Sequence, residues 1–202
     1  MSATDTSEKG LEAMIATFLA GIQDSAAPNA GVVLEPGGDY GGAGYLLGDT
    51  RDYDRDHAVD LPRLLDFIQS TQPKAFEQLG LAVAGPKRRQ YLARLQGEIA
   101  KRGVVDVLRK GVQHLAVSVE LFYGAPSPGN PRALQRFNAN LFSITRQLRY
   151  SKDGSQLALD LVLFVNGLPV ATFEVKNRLT KQTVEDAVQQ YKRDRDPRNG
   201  KA

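Results

Sequence analysis

Three ionisable residues, Asp160, Glu174 and Lys176, stand inside the otherwise apolar stretch LDLVLFVNGLPVATFEVKN, Leu159 to Asn177. A carboxylate taken out of water is costly unless it is paired, hydrogen-bonded or held by a cation. Two carboxylates a few ångströms apart repel one another, and a magnesium ion between Asp160 and Glu174 would turn that repulsion into a site. Manganese could replace it. Lys176, two residues beyond Glu174, could orient or help to deprotonate a water attacking phosphorus, or offset charge in the transition state, while the metal polarises the phosphoryl oxygen. The backbone carbonyl of Val175 is a further candidate ligand. In the competing interpretation Glu174 and Lys176 form a surface ion pair on an edge strand and Asp160 merely opens a strand. The flanking runs LDLVLF and LPVATFEV are apolar on both faces, the pattern of a strand covered on both sides, which weighs against a surface pair.

The geometry depends on the turn. Side chains alternate along a strand, so Asp160, Val162 and Phe164 share one face, and Thr172, Glu174 and Lys176 share one face of the partner. A two-residue Asn166-Gly167 loop would pair Val165 with Leu168 and Asp160 with Phe173, sending the two carboxylates to opposite faces. A three-residue loop with Gly167 left-handed would set Asp160 opposite Thr172 and bring all three residues to one side.

The elements that must position these residues follow from periodicity. Residues 8–22 carry Leu11, Ile15, Phe18, Leu19 and Ile22 at helical spacing, with Glu12 at the edge of the stripe. Residues 24–50 are rich in glycine and read as an irregular connection. Helices are expected over 61–71, 87–101 and 104–110, the first opening at Pro62 and the last two ending at Gly103 and Gly111. HLAVSVELFYG alternates as one strand, with Leu115, Val117, Val119 and Leu121 on a common face. After a proline-broken segment and a helix over 132–139, three strands at 141–150, 157–165 and 168–176 form a meander, with Asp153-Gly154 and Asn166-Gly167 as hairpin turns. A last helix, 184–195, is capped by Thr183 and shows Val184, Ala187, Val188 and Tyr191 on one side. Residues 1–110 thus form a mainly helical part and 111–202 an α/β part, together one compact domain with a mixed central sheet flanked by helices.

Composition narrows the partners. The 202 residues are 42% hydrophobic, enough for a real core, and contain no cysteine, which excludes disulfides and thiolate chemistry. No leader or membrane-spanning run is evident, so a cytoplasmic protein without membrane partners is expected. Residues 1–60 hold 11 Asp and Glu against 3 Lys and Arg, whereas the rest of the chain holds 12 against 23. A basic lobe of that kind suits a polyanion.

Other apparent motifs fail on chemistry. Gly80 to Lys87 has phosphate-loop spacing, but Pro86 removes an amide that phosphates need and no Ser or Thr follows Lys87. Asp52, Asp54 and Asp56 alternate like a calcium loop, yet His57 stands where glycine is required and Arg63 where a glutamate belongs. His57 and His114 have no zinc spacing, and no serine lies in a nucleophile elbow.

The order helix, three meandering strands, helix, with Asp on the second strand and ExK on the third, resembles the PD-(D/E)xK, or restriction-endonuclease-like, core. More specifically, TRQLRY, LDLVLFVNGLPVATFEVKN and LTKQTVEDAVQQYKRDRDP resemble the N-terminal nuclease domain of the restriction subunit of type I restriction-modification enzymes. EIAKRGVVDVLRKGV, DYDRDHAVDLPRLLDFIQSTQP and SEKGLEAMI extend the likeness over nearly the whole chain. The resemblance implies magnesium-dependent cutting of double-stranded DNA, with Asp160 and Glu174 as metal ligands, Lys176 as the catalytic lysine and Glu12 as a supporting helical glutamate. It also implies ATP-driven motor domains beyond this chain, which carries no Walker motif and would be a fragment or a natural truncation, and methylation and specificity subunits as partners. The family's QxxxY motif is incomplete: Tyr191 is present, but Ala187 stands four residues before it, leaving Gln189 or Gln190 to take part of that role. Tyr191 also completes the apolar side of its helix. Lys192, Arg193, Arg195, Arg198 and Lys201 could contact DNA phosphates, diluted by Asp194 and Asp196. A non-cleaving module that clamps DNA or docks a motor on the same fold is the alternative, and a nuclease directed at RNA or at particular DNA structures would use the same residues.

Overall fold

A computed structural model describes residues 7–21, 44–152 and 157–176, together with residues 185, 188, 189 and 192. Helix α1, Glu8–Ala20, opens where the Ser7 hydroxyl accepts from the Gly10 amide at 3.1 Å and closes on left-handed Gly21. Its sheet-facing side keeps only part of the expected row, Ile15 and Leu19, which pack beside Ala16 against the sheet. Glu12, Ala16 and Ala20 are buried, whereas Leu11 and Phe18 are exposed and Ile22 lies outside the described residues. Small alanines let the helix lie close to the sheet, and the large side chains splay around its flanks.

The main sheet has the order β1-β6-β7-β8: Leu46–Leu47, Phe142–Arg149, Ala158–Val165 and Leu168–Phe173. Strand β1 runs parallel to β6 and the other pairs are antiparallel, so the sheet is mixed. The end of the glycine-rich segment, expected to be irregular, is therefore ordered pairing. Gly48 is required there, because a Cβ would stand 2.0 Å from Thr145 Oγ1. On one side, Ala16, Ile144, Leu161 and Val175 close the contact between α1 and the sheet, and on the other Leu148, Leu159, Val162 and Phe164 pack with Tyr53 and Tyr150.

Two short strands, β2 (Tyr53–Asp54) and β3 (Val59–Asp60), lead into α2, Leu61–Thr71. Asp60 caps α2 by accepting from the Arg63 amide and pairs with the Arg63 guanidinium at 2.9 Å. Burial pushes its carboxyl above the ordinary value, and Arg63 opposes that shift. The chain continues through α3 (Pro73–Gln78), which periodicity did not announce, to α4 (Pro86–Arg102) and α5 (Val104–Lys110). HLAVSVELFYG is not one strand. Strand β4, Val112–His114, turns at Leu115, which has φ 54 and is exposed, and pairs back with β5, Val117–Val119. The largest core joins Leu64, Phe67 and Ile68 of α2 to Tyr91 and Leu95 of α4, Val107 of α5, Leu121 and Leu168. Helix α6, Pro131–Asn138, capped by Asn130, precedes the meander. Among the described residues no helix is long and apolar enough to cross a membrane.

Candidate functional site

The turn between β7 and β8 follows the two-residue form. Val165 pairs with Leu168, and both Asn166 and Gly167 have positive φ, 51° and 81°. By strict alternation this would have separated the carboxylates. Strand β8, however, carries one extra residue: Phe164 pairs with Pro169 and Leu163 with Ala171, leaving Val170 as a bulge. Pro169 cannot donate a ladder bond, so a bulge on a strand at the edge of the described sheet is the place for it. Beyond the bulge Leu161 pairs with Phe173, the last pair of the ladder, so Asp160 and Glu174 are the next residues past it on the two strands. The expected three-residue loop is thus not formed; a bulge in β8 shifts the register instead, with Val162, not Asp160, opposite Thr172.

Asn166-Gly167 is more than a surface turn. Asn166 is fully buried; its side-chain oxygen accepts from the Leu141 amide at 2.6 Å, and its side-chain nitrogen donates to the Leu121 carbonyl and to Asn140 Oδ1. Asn140 in turn bonds both backbone groups of Tyr123. The Gly167 carbonyl accepts from the Asp60 amide at 2.9 Å, so the hairpin is seated against the start of α2. The register of the β7-β8 hairpin is anchored in the core.

Asp160, Glu174 and Lys176 are all partly exposed, although the apolar sequence around them suggested burial. Glu174 and Lys176 follow the end of β8 and border an apolar groove shared with Leu11, Met14 and Ile15 of α1. The buried carboxylate of the region is Glu12, with 2% exposure. Gln147 joins it to Asp160: its side-chain nitrogen donates to Glu12 Oε2 at 2.9 Å and to Asp160 Oδ1 at 3.3 Å. The second oxygen of Asp160 accepts from the Val175 amide at 2.7 Å. Strict alternation fails at this point of the strand. Leu159 packs with Val162 and Phe164, while Leu161 packs under α1 on the other side. Opposite the change stands Gln147, flanked by the pairs Arg146 with Leu161 and Leu148 with Leu159, with φ 49.

Gln147 was not among the residues singled out from sequence. The signal was the polar run Thr145-Arg146-Gln147, in which Arg146 stands where the alternation of Phe142, Ile144 and Leu148 calls for an apolar residue. Of the other candidates, Val175 contributes its amide to Asp160 and buries its side chain under α1. Lys192 is helical and exposed, as are Glu185, Val188 and Gln189, whereas Gln190, Tyr191, Arg193, Arg195 and the Asp153-Gly154 turn lie outside the described residues.

The discarded motifs have structural roles. Asp54 uses both oxygens locally, accepting from the amides of Asp56 and His57 and meeting His57 Nδ1 at 2.8 Å. His114 packs edge-on against Tyr91. Among the described residues no three His, Cys, Asp or Glu side chains converge closely enough to hold a metal ion by themselves.

No curated protein and no solved structure matches the chain. A family model does match residues 101–202, the half that contains β6, β7, β8 and the positions of Asp160, Glu174 and Lys176; the family is described as the type I restriction enzyme R protein N terminus. On that match over half of its length, the chain belongs to the N-terminal family of type I restriction enzyme R proteins.

Proposed function

We propose that this chain is the DNA-cleaving part of a type I restriction enzyme R subunit, with a PD-(D/E)xK core that hydrolyses phosphodiester bonds with magnesium. The observation that carries the proposal is the fixing of Asp160 at both oxygens, by Gln147 and by the amide within the Glu-Val-Lys segment. A carboxylate restrained in this way, and linked through Gln147 to the buried Glu12, is poised for more than surface solvation.

The donor types suit the metal. Magnesium prefers hard oxygen donors and is usually held by one or two carboxylates, with water and substrate phosphates completing its shell. Asp160 and Glu174 would hold it, with the Val175 carbonyl as a third donor. When bound, the ion would polarise the phosphoryl oxygen and lower the pKa of water. Lys176, two residues past Glu174, orients the attacking water or offsets developing charge. Glu12 braces Asp160 through Gln147, and exposed Lys192, with Arg193 and Arg195, would bind phosphates of double-stranded DNA without reading bases. Motor domains driven by ATP, and methylation and specificity subunits, complete the working enzyme in the cytoplasm.

Titration of Mn²⁺, with and without duplex DNA, into wild type and Asp160→Asn tests the proposal by calorimetry. Saturable binding in wild type that is lost in the variant is expected. If a folded wild type bound no Mn²⁺ under either condition, the cleaving role would give way to that of a module that clamps DNA or docks the motor.

A further inference from the structure

We infer that Gln147 is a positioning residue that presets Asp160 for a divalent cation; the inference rests on the metal-dependent function proposed above and deepens it, by giving the amide that joins Glu12 to Asp160 a direct effect on metal affinity. Strand β6 pairs normally on either side of Gln147, with Arg146 against Leu161 and Leu148 against Leu159, and no residue is gained or lost between them. Gln147 itself nevertheless has φ 49, in the left-handed region that side chains other than glycine and asparagine rarely enter. A bulge would account for such a backbone, but the register excludes one. What the twist accomplishes is to carry one side-chain amide to Glu12 on α1 and to Asp160 on the neighbouring strand together. Strain of this kind in mid-strand persists where something else depends on the position.

The residue type fits the task. Both partners are carboxylate oxygens, so the amide must present its NH₂ group, and that group has one hydrogen for each. A glutamate here would add a third negative charge, and a lysine or arginine would bring a permanent cation into the space a metal would use. Glutamine holds two carboxylates toward one nitrogen while remaining neutral. With the Val175 amide on the other oxygen, Asp160 is constrained at both ends, and each oxygen retains a lone pair for a ligand. Partners of this kind, which touch the metal's ligands rather than the metal, typically change affinity about 10- to 100-fold when removed.

The test uses the 202-residue chain, with Mn²⁺ as the probe in calorimetry and thermal unfolding in parallel. Gln147→Gly removes the amide while suiting the left-handed backbone, and Gln147→Met keeps the length of the side chain without its donor. Both variants are expected to bind Mn²⁺ about 10- to 100-fold more weakly than wild type, with the glycine variant melting close to it. A purely structural role would move the melting temperature and leave the affinity alone. Affinity at or above the wild-type value in either folded variant would overturn the inference while leaving the metal site in place, and would make the amide a stand-in that the cation displaces. A wild type that takes up no Mn²⁺, alone or with duplex DNA, would overturn both the inference and the function on which it rests.

Discussion

The backbone amide of Val175 donates to Asp160 Oδ2 across 2.7 Å, tying the middle of the Glu-Val-Lys segment to the neighbouring strand. The bond lies just past the last ladder pair, Leu161 with Phe173, where β8 would otherwise begin to fray. Asp160→Ala leaves a partly buried amide without its acceptor and is expected to cost about 1–3 kcal/mol. Asp160→Asn retains an oxygen at that place and should cost clearly less. Urea denaturation of both variants checks this, and equal losses would mean that the Val175 bond adds nothing to stability.

The hairpin turn should be the most sensitive position of the meander. Gly167 has φ 81, and a Cβ there would meet the Asp60 carbonyl oxygen at 2.5 Å and the Leu64 amide nitrogen at 2.6 Å. Both are backbone atoms at the start of α2 and cannot rotate away. Gly167→Ala is therefore expected to destabilise by more than about 2 kcal/mol, combining an unfavourable φ with overpacking. Asn166→Ala removes three side-chain hydrogen bonds from a fully buried site and should rank close to it. Thermal melts of the two variants beside Asp160→Asn give the ranking; a Gly167→Ala protein as stable as Asp160→Asn would contradict the seating of the turn on α2.

The helices over 61–71, 87–101 and 104–110 were legible because capping residues, proline and glycine punctuate them locally, and the meander because its strands are long and apolar. What was not legible depended on contacts distant in sequence. Strand β1 exists because Leu46 and Leu47 find β6 nearly a hundred residues later, and nothing in the glycine-rich segment announces that partner. The Val170 bulge turns on Pro169, whose missing amide could have been weighed against a regular ladder. Asp160, Glu174 and Lys176 stood out because charge in an apolar run is unusual. Gln147 did not, because neutral polar residues in strands are common and only its backbone angle and its two partners set it apart. Leu11 and Phe18 misled for the opposite reason: helical spacing shows which residues share a face, but alanines can occupy the closest approach.

Acid should loosen the joint between α4, α5 and β4. Arg102 bonds Glu98 and Asp106, and its guanidinium also donates to the carbonyls of Asp106 and Gly111. The Arg102 bond holds the Glu98 carboxyl below its ordinary value of 4.5, and Lys110, then Arg102, hold Asp106 below 3.8. Carboxyls depressed in the folded state contribute stability above their unfolded values and lose it as pH falls through the folded ones. Stability should therefore decline as pH drops from about 4.5. Arg102→Met should be less stable at neutral pH and flatter across the acid range, as read from urea midpoints between about pH 5 and 2.5. A variant with the wild-type slope would show that other groups govern the acid limb. Asp60 acts in the reverse sense: burial raises its carboxyl, so its contribution declines as pH rises through the folded value, which keeps the Arg102 comparison, made at constant Asp60, the cleaner one.

Lys176 separates binding from chemistry. It borders the groove between α1 and the end of β8, two residues beyond Glu174, and the proposed function gives it no part in holding the metal. Lys176→Ala should leave Mn²⁺ and DNA affinity near wild type while lowering DNA cleavage by about 100-fold or more, the usual scale for loss of one group that stabilises transition-state charge. Cleavage is best measured in the R subunit assembled with its partner subunits, and binding in the present chain. Undiminished cleavage by a folded variant would remove Lys176 from the chemistry. Loss of Mn²⁺ binding would instead place it among the groups that shape the metal site.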